Sequence, residues 1–309
     1  LPGYFPRQLR EPFRAGIRSH PLRRQIVATI LANETVDNGG ISYVYRLSEE
    51  AGASSTDAIR AYAAVTEIFD LPGVWARIRS ADTTTAVADD LLLESHRVLD
   101  RASRWLLSNR PQPLAVGADI SRYRAMFARL APRVGVWMQG HHVQDLKERA
   151  EPLLARGAPE ELTWDVFRLL DQFPLLDVID IADIAERDEA EVAELYYAMD
   201  AHMGIDWLLS AVTSLERGDR WHSLARLALR DELYGSLRTL TLDVLATAEP
   251  GESTREMIED WELTNGSRLG RARSALEEIF LSGNLDLATL SVAARQVRSM
   301  VRAGAPDRR

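Results

Sequence analysis

An all-α fold, a multi-helix bundle in two helical lobes, is expected, and two features of the sequence predict its class. Apolar residues recur at i, i+3, i+4 and i+7 along almost every segment, which is the period of an amphipathic helix. Val192, Leu195, Tyr196, Met199 and Met203 form one such stripe, and Leu233, Leu237, Leu240 and Val244 form another. Alternating runs rich in β-branched residues, the mark of half-buried strands, are missing.

Punctuation places the elements in order. Residues 1–20 carry Pro2, Pro6 and Pro12, and Pro21 follows, so this segment reads as an extended, basic arm or hairpin-like cover without a continuous helix. Pro21 suits a first helical turn and opens a helix through Leu31 that bends or breaks at Asn38-Gly39-Gly40. The helix after the break runs from Ile41 to Ala51 and ends on Gly52, a residue that accepts the left-handed cap. Ser54 or Ser55 caps the next helix, which stops near Phe69 ahead of Pro72. One long helix covers 84–109, and helices near 117–130, 132–139 and 141–156 lead to the break at Arg156-Gly157-Ala158-Pro159. That break separates lobe 1 (21–157) from lobe 2 (158–303). Lobe 2 holds helices near 159–171, 174–186, 188–202, 204–217, 219–247, 253–281 and 286–302, and residues 304–309 form a frayed tail. No repeat of fixed period runs through the pattern, which argues against a solenoid.

The 309 residues contain 46% hydrophobic and 27% charged side chains, the balance of a globular protein with a sizeable core. There is no cysteine, which excludes disulfides, thiolate catalysis and cysteine-ligated metals. No apolar run approaches the roughly 18 residues of a membrane helix, and no signal peptide opens the sequence, so a cytoplasmic protein without membrane contact is expected. The opening Leu1-Pro2-Gly3 reads as mid-chain loop, the expectation being a fragment of a longer polypeptide.

Patterns that carry chemistry are scarce, and the expectation is no catalytic, cofactor-binding or metal-binding residue in this chain. A dinucleotide-binding glycine fingerprint after a strand is absent. Gly266 and Gly270 are the nearest approach, and they read as a loop or close packing contact. Lys147 is the single lysine among 37 basic residues, and its charged surroundings read as a solvated helix surface. The six histidines show no metalloprotease or di-iron spacing. His141-His142 after Gly140 reads as a helix start, and Asp219, three residues before His222, as a helix cap. Asp177, Asp180, Asp183 and Glu186 recur every third residue, so their carboxylates drift around a helix without converging as a hard-cation site requires. They are expected on a solvated face, with an inter-domain contact as the alternative.

Charge is spread unevenly. The net charge is −9, yet residues 1–24 carry six arginines against Glu11 alone, and residues 145–206 carry 17 acids against five bases. Phe5, Arg7, Arg10, Phe13, Arg14, Ile17 and Arg18 are therefore the candidate docking residues of the arm. In the preferred reading Tyr4, Phe5, Phe13 and Ile17 lie on the body while the arginines stay wet. The alternatives are electrostatic docking on an acidic face, in the same chain or a neighbouring domain, and a nucleic-acid contact. An acidic chain without aromatic–basic interleaving disfavours the last.

Residues 20–54, HPLRRQIVATILANETVDNGGISYVYRLSEEAGAS, and the following TDAIRAYAAVTEIFDLPGVW to Trp75 resemble the C-terminal helical region of the large bacterial NAD-specific glutamate dehydrogenases. The resemblance continues at RASRWLLSNR (101–110), at residues 157–185 and at residues 220–241, and so spans nearly the whole chain. Ala51 departs from it, since Thr is usual in that run. The resemblance implies a bacterial, cytoplasmic, homo-oligomeric oxidoreductase that converts L-glutamate and NAD into 2-oxoglutarate, ammonia and NADH. It also implies that this region is a non-catalytic domain with a structural, assembly or regulatory role. Its partners would be the catalytic domain of the same polypeptide and other subunits, with NAD bound elsewhere. A free-standing helical interaction module is the alternative.

Overall fold

The computed structural model describes residues 1–216, 218–249 and 251–301. The expected frayed tail, 304–309, lies outside the described residues. All regular structure among them is helical. The order is α1 (Arg7–Arg10), α2 (Arg14–Arg18), α3 (Arg23–Gly39), α4 (Tyr43–Ala51), α5 (Ser55–Ile68) and α6 (Leu71–Ser80). Then come α7 (Thr85–Asn109), α8 (Val116–Leu130), α9 (Val134–Trp137), α10 (His141–Ala155), α11 (Glu160–Gln172) and α12 (Leu175–Ala185). The chain continues through α13 (Glu189–His202), α14 (Ile205–Ser214), α15 (Arg220–Leu245), α16 (Thr254–Ser282) and α17 (Leu287–Met300). No helix among the described residues is long and apolar enough to cross a membrane.

The chain divides into two compact units. One comprises Leu1–Ser80 with Leu92–Arg124, and the other Ala81–Leu91 with Ala125 onward. The break at Gly157 lies inside the second unit, because it joins α10 and α11, which pack on each other.

In the first unit α3, α4 and α5 pack together, and α6 packs on α5. The core holds Tyr43, Leu47, Val65, Leu71, Trp75 and Leu106. Gly52 caps α4 in the left-handed region at φ 62°, and Ser54 starts α5 by accepting the Asp57 N–H at 3.1 Å. Several polar groups in this interior are paired. Tyr43 Oη donates to Ser103 Oγ at 2.8 Å, Trp75 Nε1 donates to Ser95 Oγ at 2.9 Å, and Arg104 meets Glu50 at 2.9 Å. The sequence pattern predicts a helix that stops ahead of Pro72 and none between Pro72 and residue 84. The structure places Pro72 in the first turn of α6, where its missing N–H costs nothing. Asp70, at φ 49°, makes the corner between α5 and α6.

The second unit is centred on α12 and α13, which pack on each other and on α15. Leu175, Leu176, Val178, Ile179 and Ile181 are buried around nearly the whole circumference of α12. Helices α14 to α17 complete the unit, with Trp261 fully buried and its Nε1 donating to Asp243 Oδ2 at 3.0 Å. Side-chain caps start α13 at Asp188, α15 at Asp219 and α17 at Asp286, and Ser253 and Glu256 form a capping box on α16.

Candidate functional site

The arm differs from its expected form. Its prolines divide it into a 3-10 turn at Pro2–Tyr4 and the short helices α1 and α2, where an extended arm or hairpin-like cover was expected. Proline favours a first helical turn as readily as an extended one, and each of these pieces follows or contains one. Arg10 closes the segment on itself. Its Nε donates to the Phe5 carbonyl at 2.8 Å and its Nη2 to the Gly3 carbonyl at 2.9 Å. Phe5 is half-buried, with its ring edge near Tyr4 and His20.

Ile17 is buried at 4% exposure, whereas Phe13 is 60% exposed and Tyr4 is exposed as well. Of the four residues expected to pack, Ile17 is buried and Phe5 partly covered, while Phe13 and Tyr4 face solvent. Phe13 occupies the N-cap of α2 with non-helical φ −115° and ψ 24°. Arg7, Arg14 and Arg18 are exposed, and Arg14 lies 4.0 Å from Glu11. The structure thus brings Phe5 and Arg10 together and leaves the other arm cations in solvent.

A polar constellation that the sequence reading missed surrounds the start of α10. Gly140 precedes that helix at φ 58°, a left-handed conformation, and a Cβ there would stand 2.5 Å from Asp206 Oδ2. That oxygen accepts the His141 N–H at 2.7 Å, while Asp206 Oδ1 accepts the Trp207 N–H at 2.7 Å. His141 starts the helix as expected. His142 reaches the interior instead. Its Nε2 lies 2.6 Å from Asp200 Oδ2 and its Nδ1 lies 4.0 Å from Asp171 Oδ1. Burial alone would lower the imidazole pKa, but the Asp200 carboxylate outweighs it and the value is pushed up to about 9. At neutral pH His142 is a held cation joining α10 to α11 and α13, which unsuits it for general-base work. Asp206 is raised above the usual carboxylate range by burial and by Asp200. A groove of about 310 Å³ opens beside Asp206, lined by Trp207, Phe280, Met203 and Leu276. Nothing local announces the His142–Asp200 pair, whose members stand 58 residues apart.

The acidic series requires a correction. Asp177 and Asp180, expected on a solvated face, are 3% and 5% exposed. Arg238 of α15 reaches both, with Nη1 2.6 Å from Asp177 Oδ1 and Nη2 3.7 Å from Asp180 Oδ2. At about 100° per residue, two carboxylates three apart lie roughly 60° from each other, so one guanidinium can span them. The same drift carries Asp183 and Glu186 outward, and both are exposed. Gly266 and Gly270 also differ from expectation. The Asn265-Gly266 pair interrupts nothing, α16 runs straight through both glycines, and neither faces an atom within 4 Å of where a Cβ would be. Lys147 is exposed on α10, and Asp219 caps α15 by accepting the His222 N–H at 2.9 Å. Among the described residues no group of three or more His, Asp or Glu is arranged to hold a metal ion.

A family model described as "Glutamate dehydrogenase, C-terminal" matches residues 1–299. The NAD-specific glutamate dehydrogenase of Mycobacterium tuberculosis is 52% identical over 302 residues, covering 98% of this chain and 19% of that protein. The NAD-specific glutamate dehydrogenases of Pseudomonas aeruginosa and Halomonas elongata are 30% and 29% identical, over 96% and 95% of this chain and 18% of each protein. The chain therefore spans about a fifth of the length of the curated relatives it matches. Together these matches show that the chain belongs to the glutamate dehydrogenase C-terminal family.

Proposed function

We propose that this chain is the C-terminal helical domain of a bacterial, cytoplasmic NAD-specific glutamate dehydrogenase, and that it contributes structure to that enzyme rather than chemistry. The match of residues 1–299 to the family, with 52% identity to one such enzyme, is the observation that carries the reading. In the whole enzyme L-glutamate and NAD become 2-oxoglutarate, ammonia and NADH. Such a reaction needs a lysine at the substrate, a carboxylate for proton transfer and a cradle for the dinucleotide. The one lysine here is exposed on α10, and among the buried acids Asp177 and Asp180 are engaged by Arg238 and Asp200 by His142. The interior is thus built to hold helices in place, which suits a domain that supports the catalytic part and the contacts between subunits. NAD binds in the catalytic part. Glutamate-dependent NADH formation by the longer polypeptide carrying this chain tests the reading, and its absence in an intact, folded preparation would refute it.

A further inference from the structure

Helix α3 is built to be covered. It is 17 residues long, and Thr35 is its one buried residue. Ile26, Val27, Ile30 and Leu31 make an apolar stripe that the described chain leaves only half-covered. An isolated helix of this length is marginal in water, and helices in proteins draw most of their stability from burying such a stripe. The segment leading into α3 presents further apolar side chains, since Leu9, Phe13 and Leu22 are all exposed. Cations flank them. Arg7, Arg18, Arg23 and Arg24 are exposed and have no carboxylate partner among the described residues. Apolar surface of this extent beside unpaired arginines marks an interaction face.

We propose that residues 7–31 form the seat of the remaining polypeptide of the same enzyme, which meets them with an apolar face carrying carboxylates. This rests on reading the chain as the C-terminal domain of a glutamate dehydrogenase. Two observations select that occupant. About four-fifths of each relative lies outside the matched region, so a large body of protein accompanies this domain in one molecule. The face is strongly cationic, with six arginines against Glu11 over residues 1–24, so an acidic partner complements it and the same face of a second copy repels it. The arginines orient the contact and the apolar groups hold it, and contacts within one polypeptide form at high effective concentration.

Hydrogen exchange read by mass spectrometry tests this in the full-length enzyme, with the 309-residue chain as comparator. Amides of residues 7–31 are expected to exchange at least about tenfold more slowly in the full-length enzyme than in the chain alone. The double substitution Leu9→Asp with Phe13→Asp, at two exposed positions, should leave the melting of the 309-residue chain unchanged and return fast exchange to 7–31 in the full-length enzyme. Equal exchange of 7–31 in both proteins overturns the proposal. So does concentration-dependent dimerisation of the 309-residue chain that the double substitution abolishes, which would make a second copy the occupant. Co-sedimentation of the full-length enzyme with phosphatidylserine vesicles that the substitution abolishes would assign the face to a membrane instead. Exchange is read whether or not the polypeptide turns over glutamate, so loss of activity refutes the proposed function while exchange decides the docking face.

Discussion

Replacing His142 by Gln should flatten the alkaline stability profile of the second unit. The imidazolium lies between Asp200, which is 1% exposed, and Asp171, and the Asp200 carboxylate holds its pKa near 9 against an ordinary 6.5. A group whose pKa is higher in the folded state contributes stability that is complete below the unfolded value. That contribution is lost as pH rises through the folded value. Moving from 6.5 to about 9 corresponds to about 3 kcal/mol, present in full near pH 6, falling between pH 6.5 and 9, and gone above it. The measurement is urea unfolding at a series of pH values from 6 to 10, followed by tryptophan fluorescence. Trp137 is a suitable reporter, because its ring stacks on Tyr197 of α13, the helix that carries Asp200. The wild type should lose about 3 kcal/mol across this window. His142→Gln should be weaker at pH 6, because Asp200 loses its cation, and nearly flat from pH 6.5 to 9. Parallel profiles for the two proteins would refute the reasoning, since another group would then carry the titration.

Five further substitutions follow from the structure. Arg238→Ala removes the guanidinium that meets the buried carboxylates of Asp177 and Asp180 and should cost about 3–5 kcal/mol in urea unfolding at pH 7. The contrast is Arg255→Ala, which breaks a solvent-exposed pair with Glu259 and should leave the melt unchanged. Ile17→Ala should destabilise the first unit by about 2–4 kcal/mol, whereas Phe13→Ala should change it by less than about 0.5 kcal/mol at low or high salt. Gly140→Ala forces a left-handed alanine whose Cβ meets Asp206, so thermal unfolding should report a loss of about 1–3 kcal/mol.

Helix order was legible because local signals govern it. Ser54, Asp188, Asp219 and Asp286 stand one residue before α5, α13, α15 and α17, and Gly52 stands one after α4. Local ambiguity explains the errors. A proline can end one helix or open the next, and Pro72 opened one. The arm's prolines admitted short helical turns as easily as an extended path. The buried polar groups were illegible for another reason. Asp177 and Asp180 look like surface acids in a window of ten residues, and Arg238, the guanidinium that meets both in the interior, stands about sixty residues further on. His142 and Asp200 are separated by a comparable distance along the chain, and single-sequence periodicity says nothing about which helices become neighbours. Family membership was legible because residues 20–75 and the later blocks repeat a packing pattern in a fixed order. A packing pattern specifies a fold and leaves open what the fold does.

The claim that this domain supplies structure and not chemistry is tested most directly by following NADH absorbance with L-glutamate, NAD and the purified 309-residue chain at high concentration. The account predicts no turnover by the chain, alongside glutamate-dependent NADH formation by the full-length polypeptide in the same buffer. Turnover by the chain that survives repurification and disappears in Lys147→Ala would contradict it.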